Sequence, residues 1–194
     1  LKRVLLDPAY AVHEPRLRDK LRDLRARGWR LGLHPSFGCW NSAEKIREER
    51  RRVEDALGGS VVSCRQHWLR FSWRETWRAQ EEAGLQEDMT LGFNDRPGFR
   101  NGAALSFHPW QTDDTRPLSL TAVPTMLMDS HVFDYAALSD LDRRECLRYW
   151  ISEALSVCGE VAITWHQRTF SSDYGWGKTY AHVLSLTKGS VRRG

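Results

Sequence analysis

Short strand-type runs alternate with helix-type stretches along most of this chain, joined by brief connections. That alternation is the strongest constraint on the fold, because strand, helix and next strand close as a right-handed crossover onto a parallel sheet. Leu17, Leu21 and Leu24 lie at i, i+4 and i+7, predicting a helix with Pro15 in its first turn and Gly28 beyond its end. Residues 29–33 then read as a strand that stops at His34-Pro35. Asn41 with Glu44 predicts the cap of a charged helix reaching Leu57, with Ile46, Val53 and Leu57 as its buried stripe and Gly58-Gly59 as its stop. A strand over 61–64 follows, then a helix over 73–83, a strand over 88–92, a glycine-rich loop over 93–102 and a brief strand over 103–107. Residues 118–128 form a longer apolar segment broken at Pro124. Ser139 with Asp142 caps a helix to about Val157. A strand over 161–165 ends at His166, a polar loop covers 167–175, and a last helix runs from about Gly177 to Leu186. Residues 1–6 are read as a further strand, broken by Asp7-Pro8. The expected class is α/β with mostly parallel strands, either a barrel or an open sheet.

A chain of 194 residues suits one domain, 1–194, with a sizeable core. It holds no apolar run of membrane-spanning length, and its first residues are too short an apolar stretch for a signal peptide. Lysine plus arginine number 29 against 25 acidic residues, and the two signs interleave between Glu44 and Asp55. Such interleaving describes a solvated helix face rather than a nucleic-acid stripe. Cys39, Cys64, Cys146 and Cys158 form no CxxC pair, which argues against a structural zinc knot and for reduced thiols in a cytoplasmic protein; a Cys39–Cys64 disulfide stays open. Of the nine tryptophans, Trp40, Trp68, Trp110 and Trp176 fall in loop-like contexts, where flat aromatic faces suit stacking on sugar rings or bases.

In a parallel sheet, ligands bind at the carboxyl ends of the strands, so the polar residues found there are the candidates for chemistry. They are His34, Arg65 with His67, Asp88 and His166, with Asp129 after the broken apolar segment. Histidines with a carboxylate and an arginine facing one cavity would make a hydrolytic or metal-binding set. Each also has a plainer reading. His34 can cap its strand, His67 can pack between Trp68 and Phe71, and Arg65 can pair with Asp88. His166 ends an apolar strand, where an imidazole must find a partner. His13, His108, His131 and His182 lack such a setting and read as surface or structural. No GxSxG elbow, P-loop or GxGxxG occurs, and Gly175-Trp176-Gly177-Lys178-Thr179 matches the end of a P-loop only superficially.

Gly32-Leu33-His34-Pro35-Ser36, then a charged helix, then Ser63-Cys64-Arg65-Gln66-His67-Trp68-Leu69-Arg70-Phe71, resembles a branch of the polysaccharide deacetylase superfamily. Asp88-Met89-Thr90-Leu91-Gly92-Phe93, Gly98-Phe99-Arg100-Asn101-Gly102 and Thr164-Trp165-His166 continue the same order, so the resemblance spans about residues 7–187. It implies an irregular, incomplete (β/α) barrel and metal-dependent removal of acetyl groups from N-acetylated sugars. By the same resemblance His34 is a metal ligand, Arg65 orients the catalytic carboxylate, His166 is the general acid, and Asp88 lies in the motif that positions these groups. His67 is a candidate substitute metal ligand, zinc the expected metal, and Trp68, Trp40 and Arg100 candidate contacts to a glycan or amino-sugar substrate. Two features depart from the pattern. No Asp-Asp pair precedes residue 7, the only such pair being Asp113-Asp114, and Gly38 stands where a second metal histidine is expected. A non-catalytic carbohydrate-binding relative is therefore the alternative, and a basic nucleic-acid-binding protein the third reading. A homo-oligomer stays open.

Overall fold

Proline at the first turn and a run of leucines at helical spacing form α1 (Pro15–Ala26) in the computed structural model, which describes residues 11–188. The strand expected over residues 1–6 lies outside the described residues. Leu17, Leu21 and Leu24 are half-buried, so α1 is a surface helix. The next helix, α2 (Ala43–Leu57), is capped one residue later than the sequence predicts: Ser42 Oγ accepts from the Lys45 N–H, while Asn41 donates to Glu75 instead. Ile46, Ala56 and Leu57 are its buried residues, and it ends on Gly58, whose φ of 68° is the left-handed conformation that glycine adopts without a Cβ clash.

The residues fall into two compact units. The first takes in residues up to Thr90 together with Phe107–Ala122. It contains α1, α2, β1 (Ser63–Cys64), a 3₁₀ turn (His67–Leu69), α3 (Thr76–Glu82), β2 (Glu87–Asp88), the hairpin β3 (Trp110–Gln111) and β4 (Arg116–Pro117), and β5 (Thr121–Ala122). Strands β1, β2 and β5 form a parallel sheet in that order, pairing Cys64 with Asp88 and Asp88 with Ala122. The expected strand over 29–33 contracts to a single parallel bridge, Leu33 to Cys64, with Leu33 N–H donating to Ser63 O and Arg65 N–H to Leu33 O. The strand over 88–92 shifts to Glu87–Asp88, and that over 103–107 reduces to an antiparallel bridge from Phe107 to Ala122. Arg50 fastens the helices to the sheet. Its guanidinium donates to Glu54, Ala83 O and Gly84 O, and Glu54 in turn accepts from Val61 N–H at the entry to β1. The hairpin was not foreseen; Asp113 sits in its turn and pairs with Arg74.

The second unit takes in Leu91–Ser106 and residues from Val123 onward. It holds β6 (Thr125–Met128), α4 (Asp129–Phe133), α5 (Asp140–Ser156), β7 (Ala162–Thr164), a 3₁₀ turn (Gln167–Phe170) and α6 (Gly177–Thr187). β6 and β7 pair in parallel, Thr125 opposite Ala162 and Met128 opposite Thr164. The predicted capping box of α5 is present, with Ser139 Oγ accepting from Asp142 N–H and Asp142 accepting from Ser139. Met126, Leu127, Val132, Leu147, Ile151 and Val183 form the core, each such side chain stabilising by about 1.5–3 kcal/mol on burial. The molecule is thus mixed helix and strand, with mostly parallel strands in small sheets. Among the described residues no helix is long and apolar enough to cross a membrane. All four cysteines are free thiols.

Candidate active site

In the first unit, two imidazoles meet where the chain leaves the sheet. His34 follows the Leu33 bridge and His67 opens the turn after β1. His34 Nδ1 lies 2.7 Å from Arg65 O. A carbonyl only accepts, so Nδ1 carries a proton and Nε2 is the ring nitrogen turned toward His67. His67 Nδ1 lies 3.0 Å from that Nε2, so one proton is shared between the two rings. His67 thus makes a directed contact with His34 and also lies beside Trp68, the two ring centroids 6.3 Å apart. A carbonyl-oriented histidine is the usual outer support of a metal ligand. The pair supplies two nitrogens, whereas a zinc site draws three or four ligands from the protein. Among the described residues no three His, Cys, Asp or Glu side chains gather into a group that could hold a metal ion. The described residues do not complete a metal site.

The loop after His34 is held on two sides. Glu49 of α2 accepts from Ser36 N–H (2.8 Å) and from the Cys39 thiol (3.4 Å). Arg70 donates to Phe37 O (3.1 Å) and lays its guanidinium over the Phe37 and Trp40 rings at 4.4 and 4.8 Å. Trp40, a candidate sugar platform from sequence, has one face on this guanidinium. Trp68 is 61% exposed beside His67. Its φ of 59°, followed by 47° at Leu69, places two non-glycine residues in the left-handed region. Each costs on the order of 1–3 kcal/mol, offset here in part by burial of Leu69.

Arg65 and Asp88 stand at the ends of neighbouring strands, yet their hydrogen bonds do not go to one another. Arg65 donates from Nε to Met89 O (3.2 Å) and from Nη2 to Met89 Sδ (3.7 Å), and burial lowers its pKa. The Asp88 carboxylate is fully buried and turned into the interior. It accepts from Trp77 Nε1 (2.9 Å), Gln80 Nε2 (2.8 Å) and the Thr90 hydroxyl. Burial raises its pKa against the opposing pull of those donors and of the Thr90 backbone N–H. Burial, reinforced by Asp88, also pushes the Cys64 thiol well up. None of Trp77, Gln80 or Thr90 was a candidate from sequence; a polar residue two positions beyond Asp88 was the only available sign. Two open depressions, the larger about 510 Å³, lie at the opposite, amino-terminal ends of these strands, around Arg30, Val62, Gln86 and Thr121.

In the second unit, His166 and Asp129 form a two-point contact. Asp129, at the first turn of α4, is completely buried; the His166 side chain, after β7, is 37% exposed. Asp129 Oδ1 accepts from His166 Nδ1–H at 2.7 Å, and Oδ2 from the His166 backbone N–H at 2.9 Å. Burial raises the Asp129 pKa, but the His166 ring, its backbone N–H, its charge and the Ser130 N–H together hold it below the usual carboxylate range. The carboxylate thus fixes the tautomer, with Nδ1 carrying a proton toward Asp129 and Nε2 facing away from it. His131 is buried and neutral, its Nδ1 accepting from Met128 N–H and its Nε2–H donating to Phe93 O. Arg100 donates to Gly92 O at 3.3 Å within the 93–102 loop. Trp176, read as a loop platform, stacks flat on Phe133 at 4.1 Å, with Arg143 over Phe133 at 4.1 Å.

No protein-family model matches this chain, and no curated protein matches it. A solved structure does: a crystal structure from Mycobacterium smegmatis described as a "putative polysaccharide deacetylase". The match has a TM-score of 0.60 at 17% sequence identity, and it covers 91% of this chain and 63% of that one. The chain thus spans less than two thirds of the length of the structure it matches. At this identity the likeness establishes the fold: residues of this protein are arranged as in the polysaccharide deacetylase-like structure.

Proposed function

We propose that this protein is a polysaccharide deacetylase-like hydrolase that removes acetyl groups from N-acetylated sugars. The observation that carries the reading is the buried Asp129 holding His166 at 2.7 Å at the end of β7, a carboxylate-oriented imidazole. In amide hydrolysis such a group protonates the departing amine from Nε2. The fold likeness and the ordered motifs support the same chemistry. His34 and His67 are assigned as the histidine part of a divalent-metal site, zinc by preference, in which the ion would take the place of the proton shared by His34 Nε2 and His67 Nδ1; such an ion would polarise the amide carbonyl and the attacking water. Arg65 and Asp88 are assigned as positioning groups, and Trp68, Trp40 and Arg100 as glycan contacts. The incomplete ligand set favours one alternative, a carbohydrate-binding relative without turnover. Nucleic-acid binding draws less support, because basic residues of α1 and α2 pair with acids three or four positions away.

The test is acetate release from N-acetylglucosamine oligosaccharides by wild type and His166→Asn, with zinc titration of wild type and His34→Ala. We expect turnover to fall by about 10²- to 10⁴-fold in His166→Asn and zinc affinity to fall in His34→Ala. Undiminished turnover in His166→Asn overturns the acid role; unchanged zinc binding in His34→Ala overturns the ligand assignment. Saturable glycan binding without acetate release selects the alternative.

A further inference from the structure

We propose that Thr90 is a positioning residue: its hydroxyl links the buried Asp88 carboxylate to the backbone N–H of Gln66 and so fixes the turn that carries His67.

The link is directional. Besides the Thr90 backbone N–H, Asp88 meets three side-chain donors, the Trp77 indole, the Gln80 amide and the Thr90 hydroxyl. The single hydroxyl proton of Thr90 is committed to that carboxylate, so its oxygen is left to accept, and it accepts from Gln66 N–H at 3.0 Å. All members are sealed from water: Asp88, Thr90 and Gln80 are 0% exposed and Gln66 1%. In such surroundings a hydrogen-bond chain is polarised along its length, and no water can replace a missing member.

The far end of the chain is the point where positioning is needed. Gln66 caps the 3₁₀ turn His67–Leu69, and Leu69 N–H donates back to Gln66 O at 3.0 Å. Inside that turn Trp68 and Leu69 hold positive φ values that an unsupported segment would relax. Thr90 holds the turn at its start and the buried Leu69 side chain holds it at its end. Between them His67 is presented to His34 at 3.0 Å. Asp88 therefore reaches the His67 turn through Thr90, whereas the Arg65 guanidinium feels its charge but donates its hydrogen bonds to Met89. Its relevance to turnover rests on the deacetylase reading; the positioning itself does not.

The experiment compares Thr90→Val, which keeps the shape and removes the hydroxyl, with Thr90→Ser, which restores it, and with Asp88→Asn. Amide exchange at Gln66 and the imidazole ¹⁵N signals of His67 and His34 are read by NMR, and acetate release is read in parallel. In Thr90→Val, Gln66 exchange should rise by about 10- to 100-fold relative to the α2 amides, and the His67 imidazole ¹⁵N signals should broaden or shift. Thr90→Ser should return both to within about threefold of wild type, and Asp88→Asn should loosen Gln66 in the same direction. Wild-type Gln66 protection in Thr90→Val, or a Thr90→Ser variant that behaves like Thr90→Val, overturns the proposal. Should Thr90→Val fail to fold, Asp88→Asn decides, since unchanged Gln66 protection there breaks the link. A wild-type protein with no acetate release defeats the deacetylase reading alone and leaves the exchange result to judge Thr90.

Discussion

Replacing Asp129 with asparagine isolates the contribution of the charge that holds His166. Asp129 accepts three hydrogen bonds, His166 Nδ1–H and Ser130 N–H on Oδ1 and His166 N–H on Oδ2. Asparagine offers one oxygen and one NH₂, so in either orientation its NH₂ meets at least one N–H head-on. One buried donor then goes unsatisfied, at about 1–3 kcal/mol, and the bonds that survive lose charge assistance worth roughly 1 kcal/mol more. The expected loss is about 2–4 kcal/mol, a urea midpoint lower by about 1–2 M for a slope near 2 kcal/mol per M. The pH dependence has a definite sign. The folded pKa of Asp129 is depressed. Its stabilisation is therefore complete above the unfolded carboxylate value of about 3.9 and is lost as pH falls through the lower folded value. Urea denaturation of wild type and Asp129→Asn should show the full gap at about pH 7 and a closing gap below about pH 4. A gap under about 0.5 kcal/mol at neutral pH, or one that persists undiminished at about pH 2, refutes the assignment of an ionised, hydrogen-bonded Asp129.

Gly92→Ala should destabilise by about 1–3 kcal/mol or more in thermal or urea unfolding, because an added Cβ would lie 2.6 Å from Thr125 O, a backbone atom that cannot step aside. Thiol labelling under native conditions should proceed at the exposed Cys158 first and at Cys64 last, since Cys64 is buried and its thiol is held protonated by burial and by Asp88. Mass-spectrometric detection of early Cys64 modification in folded protein would contradict that placement.

Much of the framework was legible in the sequence because it is local. Proline at the start of α1, glycine after α2 and the Ser139–Asp142 capping box each act within a turn of their own residue, and the elements form where those signals stand. The break at Pro124 likewise separates β5 from β6. The cap of α2 was displaced from Asn41 to Ser42 because two adjacent capping residues compete and only packing chooses between them; Asn41 reaches Glu75 instead. Strand extents were over-read because apolar runs report burial, and only pairing defines a strand. Residues 29–33 are the clear case, with a single bridge at Leu33.

For the candidate site, residue identity was set by sequence and partnership by tertiary structure. His34, Arg65, His67, Asp88, Asp129 and His166 could all be picked out as polar residues near the ends of apolar runs. Sequence could not show that His67 meets His34, nor that Asp129, 37 positions before His166, accepts twice from it. Nor could it show that Asp88 turns inward to Trp77, Gln80 and Thr90 while Arg65 turns to Met89. The physical reason is that a side-chain hydrogen bond depends on distance and angle in space, which parallel pairing between remote strands creates. By itself the chain determined which groups arrive at the strand ends; the folded structure decided which of them hold one another.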